Sequence, residues 1–231
     1  MLAFIRRLLL GYNPGKTQLL PAYTMQRRIV QQVWQNQSSQ DYGLERLVRL
    51  FLAVYPFITL GLFVRFLFAK VGLRLRNIAI EVYVCLKLWA TLYVLFYTTS
   101  YWLLLIPIYL GLETVMYVFS LIFLADIQPH PIFIRRTILL ILINFLELIS
   151  SYACLYKSLE RTAPGSFMAH AIETPAEGIS ALYFSCITAS GIGYGDIFPF
   201  TNTAKILVMS QIGLSFVFVV LFISYFTGRF S

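Results

Sequence analysis

Residues 174–196 read TPAEGISALYFSCITASGIGYGD. Thr174 and Glu177 form a T-x-x-E capping box with Pro175 at the first helical position, which predicts a helix over 175–189. Its partially negative C-terminal end points toward Ser190. A helix of this length is too short to cross a bilayer, which takes about 20 residues. After it comes Gly191-Ile192-Gly193-Tyr194-Gly195, where every second residue is free of the Cβ penalty on left-handed backbone. A half-length helix leading into irregular backbone, between two apolar segments long enough to span, reads as a re-entrant loop. Such backbone is tolerated at membrane depth only where protein buries it or where it lines a water-filled path.

The rest of the chain supplies that membrane setting. Of 231 residues, 12% are charged and 59% hydrophobic, with 20 Phe and 15 Tyr. A soluble domain carries about 25% charged residues, so soluble enzyme classes are excluded and no enzymatic activity is expected. Leu88–Leu112 and Ile206–Gly228 contain no charge over 25 and 23 residues. Five apolar segments are read at 49–69, 78–98, 102–124, 136–157 and 204–229. They are separated by the basic link Lys70–Asn77, the polar turn Thr98–Tyr101, the proline-broken ADIQPHP after Leu124, and the long connection 158–203. The fold class is therefore an all-α membrane protein: an outer helix 136–157, a re-entrant pore helix 175–189 with the loop 190–196, and an inner helix 204–229. A transmembrane hairpin (77–135), an interfacial or re-entrant segment with its basic link (49–76) and an amphipathic stretch (1–48) precede them.

Charge is distributed very unevenly. Residues 1–76 hold 11 Lys or Arg against Asp41 and Glu45, a net +9, whereas residues 77–231 sum to −1. Beside membrane spans, such a block marks the cytoplasmic side. Two amphipathic stretches lie within it, MLAFIRRLLL and, past a break at Pro14-Gly15, TMQRRIVQQVWQ, with Met25, Ile29, Val30 and Val33 at helical spacing. Both suit anionic lipid headgroups or a solvated or intersubunit face equally well. QNQSSQD from Gln35 reads as a linker. Nucleic acid is not an expected partner, since no helix-turn-helix, zinc-ligand or RNP signature accompanies the basic residues. Three leucines after Arg7 are too few for a cleavable signal, so the N-terminus is expected to be retained. Cys85, Cys154 and Cys186 lack metal or redox spacing and read as buried small apolar residues.

The stretch ALYFSCITASGIGYGDIFP closely resembles the pore helix and selectivity filter of tetrameric potassium channels, whose filter reads T-V-G-Y-G-D. LVMSQIGLSFVFVVLFISYF resembles their inner helix, so the resemblance spans 136–231. It implies a homotetramer in which carbonyls of Gly191, Ile192, Gly193 and Tyr194, with Gly195 at the outer mouth, replace the hydration shell of K+. The permeant K+ is then the only ion bound, and no cofactor is implied. Thr188, Ser190, Asp196 and Tyr183 become filter support, with the Tyr183 hydroxyl placed to bond Asp196. Tyr183 and Phe184 stand where the family has tryptophans. Gly191 stands where it has Thr, which keeps the carbonyl of the innermost site and removes its hydroxyl. Gly213 falls near the family's inner-helix hinge and is read as a hinge or as a packing glycine.

Residues 162–204 contain no Lys or Arg but include Glu173, Glu177 and Asp196, an acidic outer mouth. With that mouth outside, both basic links are cytoplasmic, and so is the C-terminus. Segment 49–69 holds only 15 uncharged residues (Leu50–Val64), contains Pro56 and is flanked by Arg49 and Arg65, so it is read as interfacial or re-entrant. Lys87 and Glu113 lie about level on the two arms of the hairpin and are expected to pair, as a packing contact or in gating. Glu81 and Glu147 are read as interfacial or intersubunit contacts, Arg135-Arg136 as a membrane-edge pair, His170 as an outer-loop and His130 as a linker histidine. No segment repeats basic residues every third position, as a voltage sensor would. Control of gating is expected in residues 1–76, the hairpin, lipid or a partner.

The glycine spacing fits neither a dinucleotide fingerprint nor a phosphate loop, and position 188 is Thr, which breaks a G-x-S-x-G elbow. The leading function is a K+-selective channel. A weakly selective monovalent cation channel and a non-conducting scaffold or regulatory subunit are the alternatives, and the expected site is the plasma or cell inner membrane.

Overall fold

The computed structural model describes residues 22–35, 43–68, 73–98, 100–127, 134–169 and 174–227. The expectations for MLAFIRRLLL, Pro14-Gly15, the body of the QNQSSQD linker, His130, the Arg135 side chain, His170 and Glu173 lie outside the described residues. Eight helices are described: α1 (Ala22–Gln35), α2 (Gly43–Val54), α3 (Leu60–Leu67), α4 (Leu73–Tyr97), α5 (Leu105–Phe123), α6 (Ile134–Thr162), α7 (Gly178–Ser190) and α8 (Asn202–Thr227). Two short strands, β1 (Phe167–Ala169) and β2 (Ile197–Pro199), flank α7 and its loop. Among the described residues, four stretches are long and apolar enough to cross a membrane: Ile78–Tyr97, Trp102–Phe123, Arg136–Thr162 and Asn202–Ser224. At 1.5 Å per residue, each covers the roughly 30 Å of hydrocarbon. The chain is an all-α membrane protein.

Two compact units are present, Met1–Cys85 with Phe119–His130, and Leu86–Val118 with Pro131–Ser231. In the first, α1 buries Gln26, Ile29 and Val33 and leaves Arg27 and Arg28 exposed. The buried stripe is thus turned slightly from the expected one, with Met25 and Val30 only half-buried. Gln26 Nε2 donates to the Ala53 carbonyl at 2.7 Å, where α2 gives way to a 3-10 turn, Tyr55–Ile58. Tyr23 meets Phe66 of α3 edge-on, with ring centroids 5.0 Å apart.

The apolar segment expected at 49–69 begins instead at Gly43 and is broken in two. Helices α2 and α3 meet at a 58° bend. Pro56 has no N–H to continue the helix, and Thr59 restarts it from an extended backbone, its hydroxyl accepting from Leu62 N at 3.4 Å. Arg49 is buried on α2, its Nη2 2.6 Å from Asp126 Oδ2.

In the second unit, the C-terminal half of α4 packs on α6 and α7. Val94 and Leu95 of α4, Ala153 and Cys154 of α6 and Ala181 of α7 form one apolar cluster. Lys157 of α6 donates to the carbonyl of Leu95 at the end of α4. Of the hairpin, Leu86–Val118 belong to this second unit and Phe119–His130 to the first. Helix α6 runs to Thr162, five residues past its expected end. There Glu160 accepts from the amides of Gly165 (3.0 Å) and Phe167 (2.9 Å), which turns the chain into β1.

Candidate functional site

Helix α7 is held where it lies by contacts distant in sequence. It begins at Gly178, three residues after the predicted start, and Glu177 is its N-cap residue with no side-chain capping bond. The Thr174–Glu177 capping box does not form. Arg161 Nε donates to the Ala176 carbonyl at 2.9 Å and holds that stretch as a turn, while Glu177 is extended at φ −105°, ψ 157°. The chain then passes so close to Phe96 that a Cβ on residue 178 would lie 2.8 Å from Phe96 Cδ1. A larger residue here would require Phe96 to shift.

The C-terminal end is a Schellman turn. Gly191 adopts φ 71°, its N–H reaches the Thr188 carbonyl, and Ile192 N donates to the Ile187 carbonyl at 3.2 Å. Ser190 donates its hydroxyl back to the Ile187 carbonyl at 3.0 Å, toward the helix. Beyond it, Gly193 (φ 60°) and Gly195 (φ 77°) continue the alternation of left-handed residues, with Ile192 and Tyr194 exposed between them. A Cβ on any of the three glycines meets no described atom within 4 Å, so it is the backbone and not crowding that selects glycine.

After the loop, Tyr183 Oη donates to Asp196 Oδ2 at 2.6 Å. That hydrogen bond is the main reason the Asp196 carboxyl titrates below the usual carboxylate range and the Tyr183 phenol above its own. The chain continues into β2, antiparallel to β1, with Phe167 opposite Pro199 and Ala169 opposite Ile197. Changing Tyr183 to Phe leaves the carboxylate without this donor. The Asp196 carboxyl should then titrate at higher pH, and its carboxylate infrared band followed between pH 3 and 7 in both forms checks it. An unchanged midpoint would show that the bond does not tune Asp196.

Three aromatic rings pack together where α6, β1 and α7 meet. Tyr156 of α6, Phe167 of β1 and Phe184 of α7 meet edge-to-face, with centroids 5.0 to 5.4 Å apart. Phe184 thus packs inward while Tyr183 bonds the mouth. Gln211 of α8, fully buried, joins this group through Tyr156 and Ser185. Sequence reasoning passed over Gln211, although an amide inside the apolar run LVMSQIGLSF was itself a signal, since a polar group at membrane depth must find partners. Gly213 lies two residues later, and no described atom lies within 4 Å of a Cβ built on it, so no close helix approach requires glycine there.

The intramembrane pair is rearranged. Lys87 Nζ lies 3.9 Å from Glu147 Oε2 on α6 and donates to Thr114 Oγ1 at 2.5 Å. Thr114 in turn donates to Asn144 Oδ1 at 3.3 Å, and Ser151 to Glu147 Oε1 at 2.9 Å. Glu113, the expected partner, is also buried, on α5. Glu147 is completely buried within its own chain, not placed at an interface as its sequence position suggested. Level positions on two arms could not reveal that a third helix supplies the nearer acid.

Residues 145–231 match a family model described as ion channel. No curated protein and no solved structure matches the chain.

Proposed function

We propose, from the match of residues 145–231 to an ion channel family model and their resemblance to pore-loop cation channels, that four copies of the chain surround one K+-selective conduction path. The observation that carries this reading is the left-handed backbone at Gly191, Gly193 and Gly195. Alternating handedness turns successive carbonyls of Gly191, Ile192, Gly193 and Tyr194 toward one side, where a four-fold arrangement makes rings of oxygens able to replace the K+ hydration shell. The negative end of α7 faces the entrance to this loop and favours a cation. Asp196 keeps the mouth acidic. Thr188, Ser190 and Tyr183 support the loop, and Gly213, open on all described sides, is the hinge of α8.

The membrane is the plasma or cell inner membrane, with the basic N-terminal third on its cytoplasmic face against anionic lipid. The bend between α2 and α3, and the tie from Arg49 to Asp126 in the link after α5, favour a segment 43–68 that does not cross as one straight helix.

Gly191 favours a second reading, a weakly selective cation channel, because its innermost site has no hydroxyl. Full-length protein in liposomes under opposed K+ and Na+ gradients separates the two. The K+-selective reading expects a reversal potential near that of K+. Equal permeability would establish the weakly selective channel, and absence of any cation flux would overturn conduction.

A further inference from the structure

We infer that Gln211 is a positioning residue for the filter, a buried clamp through which movement of the inner helix reaches the pore helix; the inference rests on the conduction reading above. Each polar atom of its amide is used. Nε2 donates to the Ser185 carbonyl at 3.0 Å and to Ser185 Oγ at 2.8 Å, while Oε1 accepts from Tyr156 Oη at 2.5 Å. Ser185 Oγ donates its own proton to the Ile149 carbonyl at 2.7 Å. One side chain thus ties α8, α7 and α6 at a single level. Gln211 and Ser185 are fully buried, as is Tyr156.

Burial of an amide at membrane depth has no hydrophobic gain to recommend it, since leucine would fill the space at no polar cost. What a fully satisfied network does contribute is a unique geometry. Here that geometry bears on both sides of the filter. Ser185 lies in the helix that ends at Gly191, and Tyr156 packs edge-on against Phe167, whose strand pairs with the one just past Asp196.

The clamp's place along α8 gives it a role beyond rigidity. Gly213, with open space around it, comes two residues after Gln211. Farther along, α8 meets α6 through the Phe145–Phe218 ring pair, centroids 5.2 Å apart, which has no directional bonds and can slide. A bend at Gly213 therefore leaves the residues before it clamped, and any rotation that passes the bend acts first on Gln211 and through it on Ser185.

The test compares wild type, Gln211→Leu, Ser185→Ala and Tyr156→Phe as full-length protein in liposomes, with assembly followed by size-exclusion chromatography. Gln211→Leu should assemble as wild type does, yet pass K+ at least tenfold more slowly and with a raised Na+ to K+ permeability ratio. A purely structural role would not move that ratio in assembled protein. Adding Ser185→Ala to Gln211→Leu should worsen neither readout, because both act through one network. Wild-type rate and ratio in assembled Gln211→Leu would overturn the inference. If that variant fails to assemble, Tyr156→Phe and Ser185→Ala, which each remove part of the network, must both raise the ratio, and an unchanged ratio in either would overturn it. A wild type that passes no cation removes the conduction reading and this inference together, whereas a conducting wild type with an unaltered Gln211→Leu removes the inference alone.

Discussion

Gly193→Ala should abolish K+ flux, by at least a hundredfold, in protein that still assembles. Residue 193 has φ 60°, a conformation that costs an L-residue about 1–2 kcal/mol, and four copies in one assembly bring that to roughly 4–8 kcal/mol. No described atom lies within 4 Å of the added methyl, so the protein cannot respond by repacking a neighbour. The strain is relieved only by turning the peptide, which takes a carbonyl away from the conduction axis and leaves a ring of the filter without its oxygens. Gly165 provides the control. It too is left-handed, at φ 85°, with open space around it, but it lies in the turn before β1. Gly165→Ala carries the same local strain and should retain flux. Liposome flux and assembly measured for both variants decide the matter: wild-type flux in Gly193→Ala, or equal loss in both, would remove the filter assignment.

The same conformational argument bears on Gly191. Seen from sequence alone, its glycine is a missing hydroxyl. With φ 71° and two Schellman bonds it is also the residue that ends α7, a position where a β-branched threonine fits poorly. The glycine alternation could be read from sequence because the information is local: spacing fixes where left-handed residues can occur. The spans were legible for a similar reason, as uncharged runs need no partner to be recognised. What escaped was set by distant contacts. The capping box at Thr174 is a valid local signal, overridden by Arg161 on the Ala176 carbonyl and by Phe96 against Gly178. The β1–β2 pair is three residues long on each side and has no periodicity to detect. The role of Gln211 required the positions of three helices.

The buried charges between α4, α5 and α6 should show the largest stability effect. Glu147→Leu leaves the buried Lys87 ammonium without the carboxylate 3.9 Å away, and removing one partner of a buried pair costs about 3–5 kcal/mol. The double change Lys87→Met with Glu147→Leu removes both charges and should recover most of that loss. A pair's mutual attraction only offsets what was spent in taking both ions out of water, so neutral residues of similar size are tolerated. The double variant also leaves Thr114 and Asn144 with their own hydrogen bond. Thermal unfolding in detergent measures all of this, and the fold predicts an order: Glu147→Leu lowest, the double variant close to wild type. Glu113→Gln is the discriminating addition. It should cost less than Glu147→Gln, because Glu147 is the carboxylate 3.9 Å from the Lys87 ammonium. The reverse order would restore the pairing across the hairpin that level positions in the sequence suggested. If the double variant were no more stable than Glu147→Leu, the two charges would not be acting as a pair, and α6 would be held to the hairpin by its apolar contacts and the Thr114–Asn144 bond instead.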